Sequence, residues 1–204
     1  MYPLQQHDDE LLIDGPAANA FMAVRNATLL VSAAEKQDGA ALWIICMLHT
    51  AAYSLLTVWL EQHGEHKAYS VDSVRKARGF DEFDNPRVDP DKLRQLPLRD
   101  IQSKLSELTA ISSSFPFGDF ALQVMTEISM LRNSVQHAKP VAHAFDHDYC
   151  KDMIAFLVVY VGATLKKIPK AYFGAYRSTD DVLDELKAFA AAFESKWGVI
   201  KASL

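Results

Sequence analysis

The stretch EISMLRNSVQHAKP, Glu127 to Pro140, gathers an arginine, an asparagine and a histidine into the last turns before a proline. Those three side chains form a minimal kit for cutting RNA without a metal. A free histidine titrates near neutrality, and one placed as His137 is can take or give a proton at a ribose hydroxyl. Arg132 can grip a phosphodiester through two parallel hydrogen bonds and stabilise the charge that builds on its oxygens. Asn133 can orient either group. The reaction would be attack of the 2′-hydroxyl on the adjacent phosphorus, leaving a cyclic phosphate and a free 5′-hydroxyl. A plainer reading stands beside it: Arg132 snorkels from a helix, and His137 and Lys139 sit where cations suit a helix C-terminus. The Arg-x4-His spacing alone is a short motif and decides nothing. Positions i and i+5 also diverge by roughly 140° around a helix, so one copy converges poorly on a substrate.

Three other groups invite chemistry. HAFDHDYC places His143 and His147 four apart with Asp146 and Asp148 nearby, a spacing that on a helix can share a divalent metal. Because it straddles a helix start, solvated histidines with dipole-complementing aspartates are the favoured reading, and no metal is expected. KKIPKAYFGAYR, 166–177, interleaves four cations with three aromatics and no acid, a composition suited to single-stranded RNA. It equally suits a helix end with its turn, which is the preferred reading, and RKARGF at 75–80 is a weaker version of the same pattern. His49 stands alone in an apolar helix and reads as a core residue with one satisfied hydrogen bond, with no function attached.

The elements that must position these groups are helical almost throughout. Half of the 204 residues are apolar and 23% are charged, enough for a real core, and 204 residues fit a single domain. A net charge of −5 excludes wholesale coating of nucleic acid, so any such contact must be local. Cys46 and Cys150 lie in apolar runs far apart, which reads as buried small hydrophobes of a reducing, cytoplasmic compartment; no secretory signal is visible near the N-terminus. Gly39 to Leu60 carries no formal charge and is long enough to span a bilayer. Thr50, Tyr53, Ser54 and Thr57 nevertheless make a mildly polar stripe beside His49, which fits the central helix of a bundle, and no membrane insertion is expected.

The other expected helices run from Asn19 to Lys36 on Phe21, Val24, Leu29 and Val31, and from Leu98 on Ile101, Leu105, Leu108 and Ile111. The next has Asp119 as a cap and Phe120, Val124, Ile128, Leu131 and Val135 on its buried line, with Pro140 as its stop. Another opens at Asp146 or His147, and a last one starts at Ser178 on Val182, Leu186, Phe189, Phe193 and Trp197. Residues 70–97, with three prolines, read as loop or short helices, and no strand is expected. The expected fold class is all-α: an up-and-down helical bundle of four main helices with one or two extra helices. Residues 1–18 form an N-terminal extension and 19–204 a single domain, with its core at 19–165 and the C-terminal helix at 179–197.

In this setting MLRNSVQHA resembles the motif of HEPN domains, all-α bundles found in many prokaryotic toxin and defence ribonucleases. Their arginine, adjacent polar residue and downstream histidine lie near a helix end, and GAALWIICMLHTAAYSLLTVWLEQHG is similar to the long HEPN helix. The resemblance implies a metal-independent endoribonuclease, a toxin or antiviral defence effector. His137 would be the acid/base group, Arg132 the phosphate holder and Asn133 the orienting residue. It further implies RNA as substrate, no cofactor, a homodimer that brings two motifs into one cleft, and an antitoxin or other regulatory protein as partner. Lys139 stands where toxins silenced by a nucleotidyltransferase carry tyrosine, a departure that removes the implied modification site. Some HEPN-like modules are catalytically inactive and bind a nucleotide or protein partner, which is the alternative.

Overall fold

The computed structural model describes residues 15–33, 39–80, 86–109, 116, 118–136, 147–169 and 178–198, with the backbone alone for Ala33, Pro90, Thr109 and His147. In chain order these residues form α1 (Pro16–Ala33), α2 (Ala40–Glu61), α3 (Val71–Ala77), β1 (Arg78–Phe80), β2 (Pro86–Val88), a 3₁₀ turn (Pro90–Lys92), α4 (Leu98–Thr109), α5 (Asp119–Gln136), α6 (His147–Leu165) and α7 (Thr179–Trp197). The all-α expectation holds.

The uncharged run becomes α2, and its place follows from its composition. Ile44, Ile45, Leu48, Leu55, Leu56 and Leu60 are all fully buried; each contributes about 1.5–3 kcal/mol by leaving water. α2 is long and apolar enough to cross a membrane, yet two thirds of its most apolar window is covered by the rest of the chain. A helix apolar on nearly every side must be wrapped, and α1, α4, α5 and α6 do the wrapping. Contacts of α1 with α2, α2 with α6, α6 with α7 and α7 with α1 close a four-helix ring. These are the four main helices, and α4 and α5 lie against α2 as the additions.

Local signals set the ends. Pro16 opens α1, where its missing N–H and fixed φ suit the first turn. Ser178 caps α7 through a capping box, its hydroxyl accepting from the Asp181 N–H while the Asp181 carboxylate accepts from the Ser178 N–H. Asp119 is inside the first turn of α5, where its charge complements the dipole, and is not the cap. After α2 the chain reverses through Gly64 (φ 141°) and His66 (φ 59°). The Glu61 carboxylate holds this turn by accepting from the His66 and Ala68 N–H groups at 2.7 and 2.6 Å.

Three expected core positions lie outside the core. Leu29 is 63% exposed, Leu108 50% and Phe120 71%. Ala20, Ala23, Val24, Ala27 and Val31 form the buried face of α1, and Ala121, Met125, Ile128 and Leu131 that of α5. Small residues let neighbouring backbones approach, so the close-packed face is not always the one with the largest side chains. The expected Val182, Leu186, Phe189 and Phe193 of α7 are buried as read.

The segment 70–97 does contain strands, contrary to expectation. β1 and β2 pair antiparallel with Arg78 opposite Val88 and Phe80 opposite Pro86. The base of this excursion is closed by Leu96 N–H to Ala68 O at 2.8 Å and Ser70 N–H to Arg94 O at 2.9 Å. The polar stripe of α2 seats it: the Tyr53 hydroxyl donates to Leu96 O, and Gln95 donates to the Thr57 hydroxyl.

One buried polar pair ties α4 to the bundle. Gln102, 3% exposed, donates its amide to the hydroxyl of fully buried Tyr160 on α6 at 2.9 Å. Tyr160→Phe leaves that donor buried without an acceptor, and unfolding in urea should show a loss of about 1–3 kcal/mol. A variant as stable as the wild type would show that the pair does not anchor α4.

Candidate functional site

The motif helix α5 turns its flank toward α2 and α4. Its Thr126, Ser129, Arg132 and Asn133 line a cavity of about 290 Å³ together with His49 and Tyr53 from α2, Leu98, Arg99 and Gln102 from α4, and Pro97 just before it. The helical repeat explains the grouping: 126, 129 and 133 share one side of α5, and 49 and 53 one side of α2. Among the described residues the wall carries two guanidinium groups and no Asp or Glu.

Arg132 is half-buried and Asn133 exposed. The Arg132 Nη1 donates to the Asn133 Oδ1 at a long 3.4 Å. Its Nε is shielded from solvent and has no hydrogen-bond partner, and among the described residues no carboxylate forms a salt bridge with it. A guanidinium has five N–H donors in a planar fork, so this one keeps most of its capacity for a ligand. The expected phosphate holder thus faces a cavity, with the expected orienting residue touching it directly.

The neighbour that sequence reasoning set aside is His49. It has the one satisfied hydrogen bond expected of a core histidine, from Nε2 to Ser129 Oγ at 2.9 Å, and it is 4% exposed. It also forms part of the cavity wall, and its Nδ1 has no partner among the described residues. Burial, reinforced by the Arg132 charge, pulls its pKa down to about 4, so the ring is neutral at pH 7. Burial pushes the Cys46 thiol up to about 11 against the opposing pull of Arg132. Tyr53 is raised by burial as well, with Arg132 again opposing. One cation therefore acts on three groups of α2.

His137, the expected acid/base residue, lies outside the described residues, as do Lys139, His143, Asp146 and the aromatic part of KKIPKAYFGAYR from Lys170 onward. Lys166 and Lys167 at its start are exposed beside buried Ile168. Within RKARGF, Arg75 and Lys76 each bind Asp72 at 2.7 Å, so that run is partly neutralised. Among the described residues no group of three or more His, Cys, Asp or Glu could hold a metal. Cys46 and Cys150 are both buried thiols.

No protein-family model matches the chain, and neither a curated protein nor a solved structure matches it significantly.

The neutral state of His49 has a stability signature. Its native pKa near 4 lies below the ordinary value near 6.5, so the unfolded chain binds the proton first. The contribution is fully present above about pH 6.5 and falls as pH drops toward 4. Between pH 7.5 and 4.5 the wild type should lose about 2–3 kcal/mol more than His49→Gln in urea unfolding. Equal losses would mean that His49 is not held neutral.

Proposed function

We propose that the chain is a metal-independent endoribonuclease of HEPN type, a toxin or defence effector working as a homodimer. The observation that carries the reading is Arg132 itself: a half-buried guanidinium with no carboxylate partner among the described residues, on the wall of a cavity that also holds Arg99 and no acid. An uncompensated cation in such a place favours an anionic ligand, and the planar fork matches a phosphodiester. Asn133, in contact with Arg132, limits where the fork points.

In this mechanism Arg132 holds the phosphodiester and stabilises the oxygens as the 2′-hydroxyl attacks phosphorus. His137 of one copy removes the hydroxyl proton while His137 of the second protonates the departing 5′-oxygen. Two-fold symmetry supplies the convergence that an i, i+5 pair on one helix lacks. A second reading keeps the cavity and drops the chemistry: an inactive HEPN-like module that binds a nucleotide or protein partner through Arg132.

Purified protein incubated with mixed RNA in EDTA should leave cyclic-phosphate and 5′-hydroxyl ends. His137→Ala and Arg132→Ala should each cut at least about 100-fold more slowly while remaining folded. Equal cutting by the wild type and His137→Ala, or loss of cutting in EDTA, refutes the catalytic assignment. Retention of RNA or nucleotides without cleavage selects the binding module.

A further inference from the structure

The hydrogen bonds around His49 fix which way its ring can serve a ligand. The Ser129 hydroxyl has one proton, and it donates that proton to Met125 O at 2.8 Å. Its oxygen must therefore accept from His49, which puts the imidazole proton on Nε2. Nδ1 is left as a bare lone pair, buried and without a partner. Buried acceptors of this kind are rare in folded chains. Such a lone pair repels an anionic oxygen and attracts an O–H or N–H.

The same cavity has opposite demands at Arg132 and Arg99, which call for an anion. A ligand that satisfies both must carry negative charge with a hydrogen-bond donor close by. A ribose bearing a 3′-phosphate has that arrangement, since its 2′-hydroxyl is the immediate neighbour of the phosphate; 2′-deoxyribose lacks the donor. The size also suits one sugar-phosphate unit, with the volume of about 290 Å³ at the small end for ligand pockets. The side chain that can move aside is Arg132, whose hydrogen bond among the described residues is the long contact to Asn133.

We propose that this cavity selects ribose over deoxyribose, with Arg132 on the 3′-phosphate and the unpartnered Nδ1 of His49 accepting from the 2′-hydroxyl. The assignment rests on the phosphate reading of Arg132 and adds a specificity-determining residue, His49, from a different helix. Selection occurs within one protomer in the bound state, before cutting: the 2′-hydroxyl proton points to Nδ1 in recognition and turns to His137 only when the bond is cut. Unlike Arg132, His49 meets only the sugar, so its loss should affect discrimination more than phosphate affinity.

The probes are uridine 3′-monophosphate, its 2′-deoxy counterpart and inorganic phosphate, titrated calorimetrically into the full chain at pH 7.5. The ribonucleotide should bind about tenfold more tightly than the deoxyribonucleotide, the ratio expected for one hydrogen bond to a buried acceptor. His49→Gln keeps an amide donor for Ser129 while its acceptor, the carbonyl oxygen, leaves the Nδ1 position, so the ratio should fall toward one. In the wild type the imidazole ¹⁵N resonance of Nδ1 should shift with the ribonucleotide and not with the deoxyribonucleotide, a readout that needs no variant. Equal binding of the two nucleotides, equal binding of inorganic phosphate, or no binding overturns the proposal. An unchanged His49→Gln ratio in a folded variant does the same. Ribose selection without RNA cleavage would sink the nuclease reading alone, and cleavage with no ribose selection would sink this one alone.

Discussion

Everything in this fold follows from the need to keep α2 out of water. A 22-residue helix with no charge before its final Glu61 cannot stand mostly exposed. α1 and α6 cover part of it, and α4 and α5 cover the side these leave open. That second cover encloses the cavity, because it is laid over part of the polar stripe. Helices pressed onto apolar surface exclude everything, whereas helices laid over His49 and Tyr53 must meet hydrogen-bonding groups. The cavity lies where the wrapping of α2 becomes polar.

The same constraint explains the electrostatics. Arg132 is near enough to a buried surface to act on Cys46, His49 and Tyr53, yet it has no acidic partner among the described residues. A structural arginine in a fold of net charge −5 has many carboxylates available to pair with. Leaving this one unpaired keeps a cation in reserve at a partly dehydrated place, where its field is less screened than at the surface.

Much of the fold was legible because helices announce themselves by period, and α7 was readable to its cap. Two of the misplaced core positions share one cause. Leu29 and Phe120 were assigned to the core for their bulk, while Ala20, Ala23, Ala27 and Ala121 carry the interfaces by their smallness. The β-ribbon escaped because its strands are three residues long and mostly exposed, with no alternation to detect. At the site, Arg132 and Asn133 were legible from residue type. His49 was not, since what distinguishes it is a hydroxyl 80 positions away that dictates its tautomer. A polar residue one helical turn before Tyr53 was the available signal, and it pointed to a lined groove only once the partner helix was known.

The excursion between Ala68 and Leu96 leaves and rejoins the bundle at neighbouring points, stitched by two backbone hydrogen bonds. A loop with closed ends is an appendage in polymer terms. Doubling its length adds only about 0.6 kcal/mol of closure entropy, and the packing of α2 need not change. Such a graft point lets a descendant acquire a longer arm or a new module beside the cavity rim while the bundle itself stays as it is.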